Sequence, residues 1–134
     1  MKKGFAIIVI LLCGQQLLAQ ISPHAMLRRM DRGINLGNVM QAPVEGNWSA
    51  PVTEQYFLDV AAAGFGNVRV GMDFFGVRTT GDTSIYSSAS GTSASYSGSP
   101  SDYVVSATYL DRVEQVIDWG LNAGLVIILD MHQI

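Results

Sequence analysis

The chain has 134 residues, with 8 Lys and Arg against 11 Asp and Glu, a net charge of −3, and hydrophobic side chains at 49% of positions against 14% charged. That length suits one modest domain, and that composition packs, which excludes a disordered chain. The negative balance, with no Lys/Arg cluster beyond the N-terminus, excludes a nucleic-acid binder as well.

The opening stretch, MKKGFAIIVILLCGQQLLAQ, has the layout of a secretory signal. Lys2 and Lys3 form a basic start, Phe5 to Cys13 an apolar run, and Ala19 is the small residue before cleavage. The run is shorter than the about 20 residues that a transmembrane helix needs, so no membrane span is expected. A buried core helix is the structural alternative. Leu12 before Cys13 is bulkier than lipoprotein processing accepts. With residues 1–19 removed, residues 20–134 contain no cysteine, and an exported chain without disulfides is held together by its core.

Arg32–Asn38, RGINLGN, reads as a short strand closed by glycine and asparagine. Val39–Pro51 is loop, punctuated by Pro43, Gly46 and Pro51. Thr53 is an N-cap candidate for a helix to Ala63, on which Phe57, Val60 and Ala61 share one face. Gly64 and Gly66 then stop the helix, and Asn67–Gly71 is a compact strand. Along it Val68 and Val70 share one face, while Asn67, Arg69 and Gly71 share the other. Arg69 is the anomaly, because a guanidinium stays charged and its burial is costly unless acceptors meet it. Two roles fit it: a structural ion-pair partner, or the positive member of a site that keeps a carboxylate ionised.

Thr79–Asp102 is almost wholly Thr, Ser, Gly, Ala and Tyr, and reads as a flexible surface insertion. Tyr86, Tyr96 and Tyr103 leave open a lid that stacks on a ligand. Thr108–Ala123 is a helix, with Leu110, Val113, Ile117 and Leu121 at helical spacing. Gly124 ends it. Leu125–Leu129, LVIIL, has the continuous apolar character of a strand covered on both faces. Asp130 and His132 follow it on one face. A lone histidine at a strand end is often simply a hydrogen-bonded packing residue. His24 and His132 are the only histidines and no ligand spacing surrounds them, so no metal or other cofactor is expected.

The order is therefore β-α-β-α-β, with polar groups at each strand's end: Asn38, Arg69 with Asp73, and Asp130 with His132. Parallel α/β folds place their sites there. A dinucleotide-binding sheet needs a Gly-rich turn running straight from the first strand into a helix, and here a loop of about a dozen residues intervenes instead. A (β/α)8 barrel tolerates such a loop but needs about 250 residues, so this chain supplies about three of its eight βα units.

Three blocks, RGINLGNVMQAPVEGNW, TEQYFLDVAAAGFGNVRV and LDRVEQVIDWGLNAGLVIILDMH, resemble the N-terminal third of glycoside hydrolase family 5, the cellulase or endoglucanase family. The resemblance implies a (β/α)8 TIM barrel and retaining hydrolysis of a β-linked polysaccharide by two glutamates. It implies that Arg69 is the arginine that hydrogen-bonds the nucleophilic glutamate, and that His132 lines the subsite beside the scissile bond. Trp48, Asn38 and Asp130 are further candidates for substrate contact. The family's acid/base glutamate follows its fourth strand and its nucleophile the seventh, so neither falls within these strands. Glu45, Glu54 and Glu114 lie in the first loop and on the two helices, where none shares a barrel mouth with Arg69. Gly71, Asp73 and Phe74 stand where many members carry proline, arginine and tryptophan, and Gln133 stands in place of a second histidine.

The expectation is thus a secreted glycosidase represented by its N-terminal portion, inactive alone and poor at folding alone, with Arg69 awaiting a carboxylate encoded further on. No obligate protein partner is indicated. The rivals are a small secreted glycan-binding module using Trp48 and the loop tyrosines, and an α/β nucleotide- or metabolite-binding domain.

Overall fold

A computed structural model of the chain describes residues 21–84 and 99–132. The signal at 1–19, Tyr86, Tyr96 and Gln133 lie outside the described residues. Three strands, β1 (Gly33–Leu36), β2 (Asn67–Met72) and β3 (Val126–Met131), form a parallel sheet in chain order. Helix α1 (Pro23–Met30) precedes it, α2 (Glu54–Ala62) joins β1 to β2, and α3 (Ala107–Asn122) joins β2 to β3.

The two crossover helices cover the same face of the sheet. Val68 and Val70 of β2 are 0% and 1% exposed, packed with Phe57 and Val60 of α2 and Val113 and Val116 of α3. Alternation along the strand then turns Arg69 to the opposite face. The register sets Asn35, Arg69 and Ile128 side by side, and Gly71 beside Asp130. Both helices on one side, with polar groups on the other, is the arrangement of a barrel wall.

α1 went unread in the sequence, although its signature is there: Ser22 caps it by accepting from Ala25 N at 3.2 Å, and Pro23 opens it. Its end meets the sheet where buried Asn67 donates Nδ2–H to the Met30 carbonyl at 2.8 Å. α2 lies where the spacing puts it, with Phe57 and Val60 buried. Thr53 is its N-cap by position, without a side-chain capping bond. Gly64 and Gly124, both at φ 83°, turn the chain out of α2 and α3 through left-handed backbone that other residues resist.

α3 is rotated from the face read off its apolar spacing. Val113, Val116 and Gly120 are buried, while Leu110 and Leu121 are exposed. The reason is close approach: a Cβ at Gly120 would stand 2.2 Å from Ile127 Cδ1, so the helix rides on β3 through its glycine. Apolar periodicity is blind to a contact made by a missing side chain. β1 is shorter than expected, and β3 runs to Met131 half-buried, with Leu129 exposed, instead of covered on both faces.

The polar stretch after β2 is more ordered at its ends than its composition implies. Thr79 and Val105 form an antiparallel bridge, Thr80 N donates to Val104 O at 3.0 Å, and Gly81 N donates to Asp102 O at 2.9 Å. Thr83 is buried, and its Oγ1 accepts from Gly76 N at 2.9 Å. Short 3-10 turns at Gly76–Arg78 and Pro100–Tyr103 flank this pairing.

Candidate active site

Arg69 is the hub of a cluster on the helix-free face. Its Nη1 donates to Asn35 Oδ1 of β1 at 2.6 Å, and its Nη2 donates to the carboxylate of Asp130 at the end of β3. His132 Nδ1 stands 2.9 Å from Arg69 Nη2 and 3.0 Å from Asp130 Oδ2. One imidazole nitrogen cannot serve both: bare, it accepts from Arg69, and protonated, it donates to Asp130. The ring is therefore held between a fixed donor and a fixed acceptor. The three strands meet in this cluster because the sheet register puts Asn35, Arg69 and Ile128 level, and Asp130 two residues further along the same face.

The cluster is open. The side chains of Arg69, Asp130 and His132 keep 36%, 33% and 43% of their surface. Among the described residues an ion pair so wetted contributes less than about 1 kcal/mol to stability.

Among the described residues the carboxylate that meets Arg69 is that of Asp130, which lies beside Gly71 in the register. A second carboxylate from beyond β3 and a substrate contact by Asp130 are both compatible with that pairing. The strand ends at Met72, its alternation ends with it, and Asp73 turns inward to 0% exposure, where Oδ1 accepts from Phe75 N at 2.9 Å.

The remaining candidates are placed but not gathered. Asn38 is exposed at the turn out of β1 with φ 62°, a conformation asparagine tolerates better than most residues. Trp48 is half-exposed in the loop between β1 and α2. Among the described residues neither is hydrogen-bonded to the Arg69 cluster. Among the same residues no group of three or more His, Cys, Asp or Glu could hold a metal ion, and no helix is long and apolar enough to cross a membrane.

Several residues that shape the site were not singled out in the sequence. Asn35 lies inside the GINLG run, where the alternation that placed Arg69 would also have placed it. Buried Gln41 lies over Gly71, where a Cβ would meet its Oε1 at 2.8 Å. Arg78, unlike Arg69, is a buried guanidinium: Nη1 donates to Asp73 O at 2.9 Å, Nη2 donates to the Ala42 carbonyl, and the Tyr109 ring lies 4.6 Å away. Glu45 and Arg112 form a two-pronged pair, at 2.9 Å from Nε to Oε2 and 2.8 Å from Nη2 to Oε1. Those hydrogen bonds hold the Glu45 carboxyl below the ordinary glutamate range, against the opposing effect of its burial. Glu45 thus accepts both prongs of a structural pair. Burial pushes the Tyr109 phenol up.

Three parallel strands, helices on one face, and an arginine, an aspartate and a histidine at the carboxyl end of the other define a section of a (β/α) barrel with a polar site at its mouth. Residues 32–134 match the family described as cellulase (glycosyl hydrolase family 5), and the chain belongs to that family. Endoglucanase H of Acetivibrio thermocellus is 38% identical over 114 residues, which cover 84% of this chain and 10% of that protein. Endoglucanase A of Paenibacillus barcinonensis is 31% identical over 109 residues, 77% of this chain and 22% of that one. Among solved structures, Thermotoga maritima Cel5A in complex with cellobiose matches with TM-score 0.62 and 26% identity, over 83% of this chain and 30% of that one. A tri-modular subfamily 4 endo-β-1,4-glucanase from Bacillus licheniformis, complexed with cellotetraose, matches with TM-score 0.61 and 32% identity, over 84% and 19%. The chain therefore spans about a tenth to a fifth of the length of these curated relatives.

Proposed function

We propose that this chain forms the first three βα units of an exported endoglucanase-like glycosidase that cuts β-linked polysaccharide with retention, and that both catalytic glutamates come from sequence beyond β3. The observation that carries the reading is the Arg69 cluster: in a family 5 chain, a fixed cation stands at the strand ends on the face away from the helices. Retaining hydrolysis needs two carboxyl groups about 5 to 5.5 Å apart, one ionised as nucleophile and one protonated as acid. A guanidinium beside one of them lowers its pKa and separates the two roles. Arg69 serves as that cation, Asn35 and Asp130 fix its orientation, and His132 borders the subsite next to the scissile bond. The open edges of β1 and β3 are where the remaining strands join, closing the barrel around the face that carries Arg69. Residues 1–19 direct export and are removed.

The test is expression of the complete gene product beside the 134-residue chain. The complete protein is expected to hydrolyse a soluble β-glucan, with proton NMR of the first-formed reducing ends showing the β-anomer, and to be recovered from the medium or periplasm beginning at Gln20. The 134-residue chain is expected to show no turnover. Hydrolysis by the short chain would contradict the division of the site, and an inert complete protein would contradict the activity.

A further inference from the structure

The loop between β1 and α2 is tied down twice. At its start Arg78 holds the Ala42 carbonyl, and the Tyr109 hydroxyl donates to Met40 O at 3.0 Å. Further on, the stretch from Glu45 to Val52 is closed end to end, with Val52 N donating to Glu45 Oε1 at 3.0 Å. Arg112 of α3 locks that closure: besides its two bonds to the Glu45 carboxylate, its Nη2 donates to Val52 O at 2.8 Å. The guanidinium is itself fixed from behind, with Nη1 donating to Gln115 Oε1 at 2.6 Å and the Trp119 ring 4.8 Å away. The pair is only about a fifth exposed, at 23% and 21%, so water screens it far less than it screens the Arg69 cluster.

Within this closed loop, between Glu45 and Val52, stands Trp48, 49% exposed. The loop leaves β1 at its carboxyl end, the same end of the sheet that carries Arg69, Asp130 and His132. Four hydrogen bonds among Glu45, Val52 and Arg112 thus close a segment that presents a large apolar ring to solvent. A rigid indole is a good platform for the apolar face of a pyranose ring, and a platform already ordered costs less to use. We infer that Arg112 is a positioning residue which, through Glu45 and Val52, fixes Trp48 at the rim as a stacking subsite for a β-linked glucan chain. The inference rests on the proposed glycosidase activity and names the residues that place one of its sugar subsites.

A platform that binds ground state and transition state alike shows in KM and leaves kcat alone. In the complete enzyme on β-1,4-gluco-oligosaccharides of four or more units, Trp48→Ala is expected to raise KM about tenfold with kcat within about twofold. Arg112→Met is expected to raise KM about fivefold, without rescue by Arg112→Lys, since an ammonium cannot make the forked contact. The double variant is expected to show no higher KM than Trp48→Ala alone, as for two residues acting through one contact. An unchanged KM in Arg112→Met, or a rise that adds in full to that of Trp48→Ala, overturns the inference. If Arg112→Met does not fold, Glu45→Gln carries the same comparison. A wild-type enzyme that leaves gluco-oligosaccharides intact sinks the proposed activity, whereas an active enzyme indifferent to Trp48→Ala sinks only the positioning role.

Discussion

The two faces of the sheet are built to different rules. On the helix side Val68 and Val70 are sealed under the apolar side chains of Phe57, Val60, Val113 and Val116. One residue over, the other face carries Arg69, Asp130 and His132, paired with one another but a third or more exposed. The helix side holds the sealed core and supplies stability, although Leu129, level with Val70 in the register, is still exposed there. The other side is ordered without being buried, which is what a site needs before its ligand or its remaining wall arrives. A strand that alternates Val-Arg-Val serves both at once, because its side-chain period of two separates the faces without any change in the backbone.

Substitutions on each side should separate these roles in the complete protein. The largest effect belongs to the sealed face: Phe57→Ala, at 0% exposure, is expected to lower unfolding stability by about 3 to 5 kcal/mol in denaturant titration. Its activity should fall only as the folded fraction falls. A stability loss below about 1 kcal/mol would mean that the core can collapse around the gap, and would weaken the contrast. Next comes Arg69→Met, expected to reduce kcat by about a hundredfold, as for loss of one preorganised donor, with a smaller loss of unfolding stability than Phe57→Ala. A large stability loss with unchanged kcat would return Arg69 to the role of structural ion-pair partner.

The Glu45–Arg112 pair gives a smaller, pH-dependent effect. Because the folded Glu45 carboxyl lies below the ordinary glutamate range, its contribution to stability is present above that range and is lost as pH falls through the folded value. The stability difference between wild type and Glu45→Gln is therefore expected to be greatest near neutral pH and to shrink in acid, as thermal melts at a series of pH values would record. A difference that grows on acidification contradicts this. Smallest is Gln55→Ala, which removes the exposed 2.8 Å contact to Asp59 one turn along α2 and is expected to change stability by no more than about 0.5 kcal/mol.

Much of the fold was legible because the signals were local. The stop at Gly64, the Phe57 and Val60 face of α2, the strand around Arg69 and the helix before β3 all follow from spacing and punctuation. What the sequence did not show shares one cause, that partners distant in sequence are invisible from one position. Gly120 turns α3 toward Ile127, Asp130 reaches Arg69 only once β3 is in register beside β2, and Asp73 turns inward because its strand has ended. The site was legible in part for the same reason. Arg69 stood out as a charge in an apolar strand, and the family blocks drew attention to His132. Asn35, Arg78 and Arg112 look ordinary until the loops and strands come together. Nor does composition report pairing: the polar stretch after β2 reads as flexible, yet its two ends are bonded through Thr80 to Val104 and Gly81 to Asp102.

The most direct test is the pH dependence of kcat/KM for the complete enzyme on a soluble β-glucan, wild type against Arg69→Met. If the guanidinium holds the nucleophilic carboxyl ionised, removing it raises that carboxyl's pKa, and the acid limb of the profile moves to higher pH. An acid limb that stays in place while the rate falls would contradict the role assigned to Arg69, and with it the account of the open face.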